Sequence, residues 1–229
     1  MSSLINYFKA DKRVFAKGLC KEKLFFIFII GCIFGCVFEE LLTIGFQYIN
    51  NEPIVWVTRR GLIYGELSPV YGFGAVLMTY FLLRKEKTWY ENFLYGGLIG
   101  GVFEYAASFF QEVFTGAVSW DYSSHFLNIN GRTTVPYMLV WGLLSLFLVY
   151  IVYPFLSKYI EKIPYNLGKW IYKILLVFII FDLFVSFGAS IRYWFRKLGW
   201  HPLSPLGQFF DKFYPDEIMR SVYNNAKFK

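Results

Sequence analysis

Two acidic residues sit where an apolar chain has little use for charge. Glu39 closes the stretch "GCIFGCVFE" and Glu104 closes "GGLIGGVFE", 65 positions later. Glycines precede each at the same spacing: Gly31 and Gly35 in the first stretch, Gly96 and Gly100 in the second. Helix positions i, i+4 and i+8 share a face, so each carboxylate projects from the same side as a pair of glycines. Small residues at that spacing let a second helix approach closely. A carboxylate inside a bilayer is costly unless it is paired, protonated or set in a wet cavity. Both glutamates are therefore expected to face a bundle interior, binding a cation or carrying a proton. The competing reading is a structural ion pair that locks helices together. Asp182, in "FDLFVSFGASIRYW", is a third carboxylate within an apolar run. Glu40 and Glu112 are weaker candidates, since each lies nearer the end of its run.

The expected partners are cationic. Arg59 and Arg60 follow the first run, Arg132 follows the third, and Arg192 ends the fifth. Arginine grips a carboxylate or phosphate with two prongs, so Arg60, Arg132 and Arg192 are candidate charge partners or an anion clamp. Trp120, Asp121, Tyr122, Tyr64 and Tyr71 are loop-side candidates, against the plain alternative of interfacial aromatics. His125 shares a loop with Asp121 and Arg132, and the default for such a histidine is a loop residue. Cys32 and Cys36 stand where the second stretch has Gly97 and Gly101, so they read as small packing residues; no metal site is expected. No phosphate loop, zinc-protease motif, nucleophile elbow or dinucleotide fingerprint occurs. The chain is thus not expected to hydrolyse nucleotide or hold a cofactor, and nothing marks it as an enzyme. Nucleic-acid binding has no support.

The elements that must position these residues are membrane helices. Of 229 residues, 56% are hydrophobic, 23% aromatic and only 17% charged, where a soluble surface needs about 25%. Five runs approach the roughly 20 residues that cross a bilayer: 24–48, 69–83, 93–115, 136–155 and 170–193. The second is the shortest, and its Gly-rich start suggests a broken helix beginning in the preceding loop. The first lacks the features of a cleaved leader. Thirteen Lys and Arg lie in the N-terminal segment and in the linkers 84–92 and 156–169 together with Lys173, against three in the loops 49–68 and 116–135. Basic residues favour the cytoplasmic side, so the expected setting is a multi-pass plasma-membrane protein with a cytoplasmic N-terminus. The net charge of +7 fits anionic lipid as a partner. Residues 194–229 form an amphipathic tail, also basic, that either lies on the membrane surface or caps the loops.

The two glutamate stretches begin a longer parallel. Glu39, Trp56, Arg59, Arg60 and Pro69 are followed in the same order by Glu104, Trp120, Arg132 and Pro136. The expected fold is accordingly all-α: a single membrane domain with a first helix-pair repeat at 24–83, a second at 93–155, a fifth helix at 170–193 and the tail.

Three blocks, "RRGLIYGELSPVYGFGA", "WDYSSHFLNINGR" and "FDLFVSFGASIRYWFR", together resemble the bacterial CmpB-type ABC transporter permease family. The resemblance covers about residues 25–223. It implies a multi-pass membrane subunit of a transport system whose energy comes from a separate ATPase subunit, and leaves the substrate open. The positions it carries over are Glu39, Arg60, Gly61, Tyr64, Gly65, Pro69, Tyr71 and Gly72, then Glu104, Trp120, Asp121, Tyr122, Gly131 and Arg132, and finally Asp182 and Arg192. "YGELSPVYG" departs from the family pattern at Glu66 to Ser68. The short linkers offer an ATPase little surface unless the amphipathic stretch 4–23 takes part. The leading expectation is a permease handling a small polar or ionic solute through a Glu/Arg-lined cavity. The alternatives are a membrane-embedded enzyme acting on a lipid or envelope precursor at the outer face, and a non-catalytic scaffold or sensor. Oligomeric state is open.

Overall fold

The computed structural model describes residues 13–228. Lys9, Lys12, Lys229 and the first part of the amphipathic stretch lie outside them. The described chain runs α1 (Lys21–Ile49), α2 (Pro69–Leu83), α3 (Trp89–Thr115), α4 (Val135–Phe147), α5 (Tyr153–Ile160), α6 (Tyr165–Lys197), α7 (Pro205–Phe213) and α8 (Asp216–Val222). A π turn at Leu148–Val152 joins α4 to α5. Pro154 lies in the first turn of α5 and has no amide hydrogen to offer the preceding turn, so the helix widens there rather than stopping. Two two-stranded ribbons, β1 (Ala117–Val118) with β4 (Lys227–Phe228) and β2 (Asn128–Ile129) with β3 (Thr133–Thr134), lie in loop and tail.

Four helical stretches are long and apolar enough to cross a membrane: Lys21–Ile49, Trp89–Thr115, Val135–Ile160 and Tyr165–Lys197. With the shorter, 15-residue α2 they form an all-helical, membrane-embedded bundle; α2 is apolar but shorter than the four that are long enough to cross. α1, α3 and α6 extend a few residues past their apolar runs, because caps and end charges continue them. Thr88 and Glu91 make a capping box at the start of α3, and the Thr134 hydroxyl accepts from the Tyr137 amide at the start of α4. Gly116 ends α3 in the left-handed region at φ 63°, a conformation favoured by glycine.

The glycine seams lie between the helices of two pairs. A methyl group on Gly31 would sit 3.1 Å from Ala75 of α2, and one on Gly35 would strike the Tyr71 ring. In the other pair Gly96 abuts Ser145, and Gly100 abuts the Trp141 ring of α4.

α2 is short because residues 61–68 occupy the rest of its path as non-helical chain. Leu62 and Leu67 are buried against Phe28, Cys32 and Ile179, and the Ser68 amide donates to the Cys32 carbonyl within α1 at 3.0 Å. Irregular backbone at that depth persists only where protein satisfies its polar groups. Here the Gly61 amide donates to the Leu67 carbonyl at 2.8 Å, that of Ile63 to the Ser186 hydroxyl at 2.9 Å and that of Tyr64 to Asp182 Oδ1 at 3.2 Å.

At the end bearing residues 13–20, Lys23 pairs with Glu161 at 2.6 Å and Lys169 with Glu22 at 2.5 Å. The tail lies at the opposite end, over the loops. Phe210, Met219 and Val222 are buried in one cluster with Val185, Ala189 and Tyr193 of α6. Strand β4 pairs antiparallel with β1, and the Asn224 side chain donates to the Thr58 carbonyl at 2.9 Å. Capping the loops is thus the arrangement adopted.

Candidate functional site

Glu39 on α1 and Glu104 on α3 line one cavity of about 700 Å³. Its walls include Tyr71 from α2, Tyr137 and Trp141 from α4, and Trp120 and Tyr122 from the loop after α3. Arg59, Arg60 and tail residues Tyr223 to Ala226 line it as well.

Glu104 is 7% exposed, and its partners are neutral donors. Thr133 donates to Oε2 at 2.7 Å, Tyr122 to Oε1 at 3.1 Å, and the Trp141 indole to Oε2 at 3.4 Å. The Tyr122 hydroxyl is held above the ordinary phenol range by burial first and then by the Glu104 carboxylate, which keeps it a donor. Glu39 is half-buried with the Tyr71 hydroxyl beside it and Arg59 as the nearby cation. Among the described residues neither glutamate has a Lys or Arg nitrogen within 4.0 Å. The carboxylates share a space without a direct Glu–Arg pair in either case.

The three arginines separate. Arg60 lines the cavity, its Nε is buried without a hydrogen-bond partner, and its Nη1 stands 4.0 Å from Glu66. Arg132 instead pairs with Glu112 at 2.6 Å and donates to Ser108 at 3.2 Å, with the Phe109 ring 5.4 Å from its guanidinium carbon. Arg192 turns to the tail and holds Asp211 through two hydrogen bonds, at 3.0 and 2.7 Å. Arg196 joins the same network by donating to Asp211 and Asp216, both at 2.6 Å. Burial pushes the pKa values of Asp211 and Asp216 up, but the Arg192 and Arg196 bonds outweigh it for Asp211, as Arg196 and Lys197 do for Asp216. Both end below the ordinary aspartate value.

Asp182 is fully buried and serves the non-helical segment by accepting from the Tyr64 amide and the Ser186 hydroxyl. It does not line the cavity, nor do Tyr64 and Asp121. Tyr64 shares a 2.7 Å hydrogen bond with Tyr214, whose hydroxyl is pushed up to about 12 by burial and by Tyr64. Asp121 accepts from the Ser123 amide and hydroxyl, and Gly131 packs against that turn at φ 68°, where a side chain would collide. Of the sequence candidates, Glu39, Glu104, Arg60, Tyr71, Trp120 and Tyr122 come together.

Several wall residues gave no signal of their own. Trp141, Tyr137 and the tail's Tyr223 to Ala226 are not among the sequence candidates, nor is Thr133, which lies outside the lining but donates to Glu104. Glu40 is more buried than Glu39, at 2% exposed, and accepts from the Arg59 amide at 3.3 Å. Cys36 Sγ lies 3.5 Å from both Glu40 Oε1 and Glu66 Oε2, so these three groups form a cluster. Thr58 also donates to Glu66, at 2.7 Å.

The family described as "Putative ABC-transporter type IV", of the CmpB kind, matches residues 26–187. No curated protein and no solved structure matches the chain.

Proposed function

The chain belongs to the CmpB-type ABC-transporter family, and from that premise we propose that it is a permease-like membrane protein that passes a small polar or ionic solute through the cavity lined by Glu39 and Glu104. One observation carries this reading. Two carboxylates from different helices reach the same 700 Å³ space, and neither is neutralised by a described Lys or Arg within 4.0 Å. A scaffold would gain by pairing them or replacing them with apolar residues. Groups that must meet a passing solute are instead left facing open volume.

In this reading Glu39 and Glu104 are the solute-facing carboxylates. Arg60, with Arg59, balances charge at the tail end of the cavity, and Arg132, Arg192 and Asp182 hold the surrounding frame. The excess of Lys and Arg at the end bearing residues 13–20 supports placing that end in the cytoplasm of a plasma-membrane protein. A separate ATPase subunit would then dock at that end. The matched glycine seams support an origin by duplication of a helix pair. Under that origin Glu39→Gln and Glu104→Gln should weaken solute binding to a similar extent, and a strongly one-sided effect would count against it.

A second reading, chemistry on a lipid or envelope precursor, is favoured by a different observation. The walls include Phe38 and Leu42 of α1 and Val140 of α4, which are 37%, 44% and 46% exposed. A cavity with such apolar walls suits an acyl chain as well as a polar solute.

The test is thermal unfolding of the purified chain across inorganic ions, phosphates and lipid headgroups. Wild type, Glu39→Gln and Glu104→Gln are run together, followed by uptake of any stabilising solute into vesicles. Stabilisation by mass action that either substitution abolishes, with uptake, is the expected result. No response in wild type, with both variants melting higher, would sink the reading.

A further inference from the structure

We propose that the shared cavity receives an organic ammonium group, held by Glu39 and Glu104 against the rings of Tyr71, Tyr122, Tyr137 and Trp141. The inference rests on the solute-cavity reading above and adds the ligand's chemical class.

The wall chemistry carries it. A small hard cation such as Ca²⁺ or Mg²⁺ is held by six or more oxygens, from protein or water. The surface beside these carboxylates is instead largely aromatic. The Tyr71 and Trp141 rings lie 6.1 Å apart between centroids, and Tyr122 and Tyr137 lie 4.8 Å apart. Ring faces attract a cation within about 6 Å, and an alkylated ammonium is a cation whose apolar substituents also gain from such a wall. The Glu104 carboxylate is already supplied with hydrogen bonds from Thr133, Tyr122 and Trp141. Its remaining need is counter-charge, which an ammonium gives without displacing those donors. Glu39, facing the same space with no described ion pair, adds the second negative charge.

Arg59 and Arg60 lie in the same wall, and the buried Arg60 Nε has no partner. A ligand with an anionic group beyond its ammonium would place that group on them. The apolar side of the cavity, at Phe38, Leu42 and Val140, accommodates an apolar extension. The shared chemistry is the ammonium, and its source is either a free amine or a lipid headgroup.

The experiment uses the full chain in nanodiscs of phosphatidylglycerol. Unfolding is followed against tetramethylammonium chloride, with sodium chloride and sodium phosphate at matched ionic strength. Tetramethylammonium should raise the melting temperature above the sodium chloride value, and Glu39→Gln should remove that rise. Tyr137→Phe keeps the ring and should keep the response, whereas Tyr137→Leu should weaken binding about tenfold. Tyr137 is 37% exposed, so both variants should fold. Replacing half the lipid with phosphatidylethanolamine separates the sources. A higher melting temperature with a blunted tetramethylammonium response identifies a lipid headgroup, and an unchanged response identifies a free amine. A tetramethylammonium effect equal to that of sodium, or one retained in Glu39→Gln or Tyr137→Leu, overturns the inference. If phosphate or sodium alone stabilises and the glutamine variants abolish it, the solute cavity stands and the ammonium assignment falls. If no probe acts on wild type, both fall.

Discussion

Replacing Asp211 with Ala should release the tail from the bundle. Asp211 accepts from Arg192 Nε at 3.0 Å, Arg192 Nη2 at 2.7 Å and Arg196 Nη1 at 2.6 Å. Without it the Arg192 side chain, 9% exposed, keeps one hydrogen-bond acceptor among the described residues, the Trp200 carbonyl at 3.3 Å. Removing one partner of a buried ion pair costs about 3–5 kcal/mol, because the other charge is left uncompensated. The lower end applies here. The Asp211 side chain is 22% exposed, and Arg196 retains Asp216 and the Tyr214 carbonyl. A cost of about 3 kcal/mol, at 1.4 kcal/mol per decade, is roughly a hundredfold in the opening equilibrium. Amide exchange over residues 205–222 should speed by that factor, while the middle of α6 serves as an unchanged internal reference. A double variant, Arg192→Met with Asp211→Leu, should recover most of the loss, since an apolar pair carries no desolvated charge. Exchange in Asp211→Ala within threefold of wild type would refute the idea that this network fastens the tail over the cavity.

Three further outcomes follow from the same geometry. Gly35→Leu would drive a side chain into the Tyr71 ring and should destabilise the bundle by about 1–3 kcal/mol. Gly45→Ala, in the same helix with nothing within 4 Å, should be neutral or stabilise by up to about 1 kcal/mol; equal unfolding midpoints for the two would contradict the seam. Asp182→Leu removes the acceptor for the Tyr64 amide and Ser186 hydroxyl and should cost about 1–3 kcal/mol, with Asp182→Asn milder, both read from unfolding in mixed micelles. Because Asp211 and Asp216 are depressed below 3.8 by Arg192, Arg196 and Lys197 acting against burial, their contribution is present above the ordinary value and lost as pH falls through the lowered one. Pepsin should therefore spare residues 205–222 of wild type near pH 4 and cut them at lower pH, whereas Asp211→Ala should be cut at both.

The sequence by itself determined the class of molecule and where its helices run. Apolar run length, flanking charge and proline positions are local quantities, and a bilayer imposes a fixed span on them. They located the five apolar helical stretches to within about five residues. The paired Gly-x-x-x-Gly stretches marked the close helix contacts, because only small residues permit such approach. They also marked Glu39 and Glu104 as inward-facing, because outward-facing carboxylates in lipid are too costly. What local pattern cannot carry is which inward-facing groups meet. Arg60, Arg132 and Arg192 share one residue type and a similar place at the end of an apolar run, yet only the first lines the cavity. The other two are taken by Glu112 and Asp211, which lie 20 and 19 positions away along the chain. Asp182 has the same sequence signature as a solute-facing acid, and only the descent of residues 61–68 into the bundle turns it into an acceptor for backbone amides. The aromatic wall and the tail over it are likewise tertiary. Tyr71, Tyr122, the α4 pair Tyr137 and Trp141, and Tyr223 come from separate parts of the chain, and their meeting depends on how the helices cross, which side-chain packing fixes and composition does not.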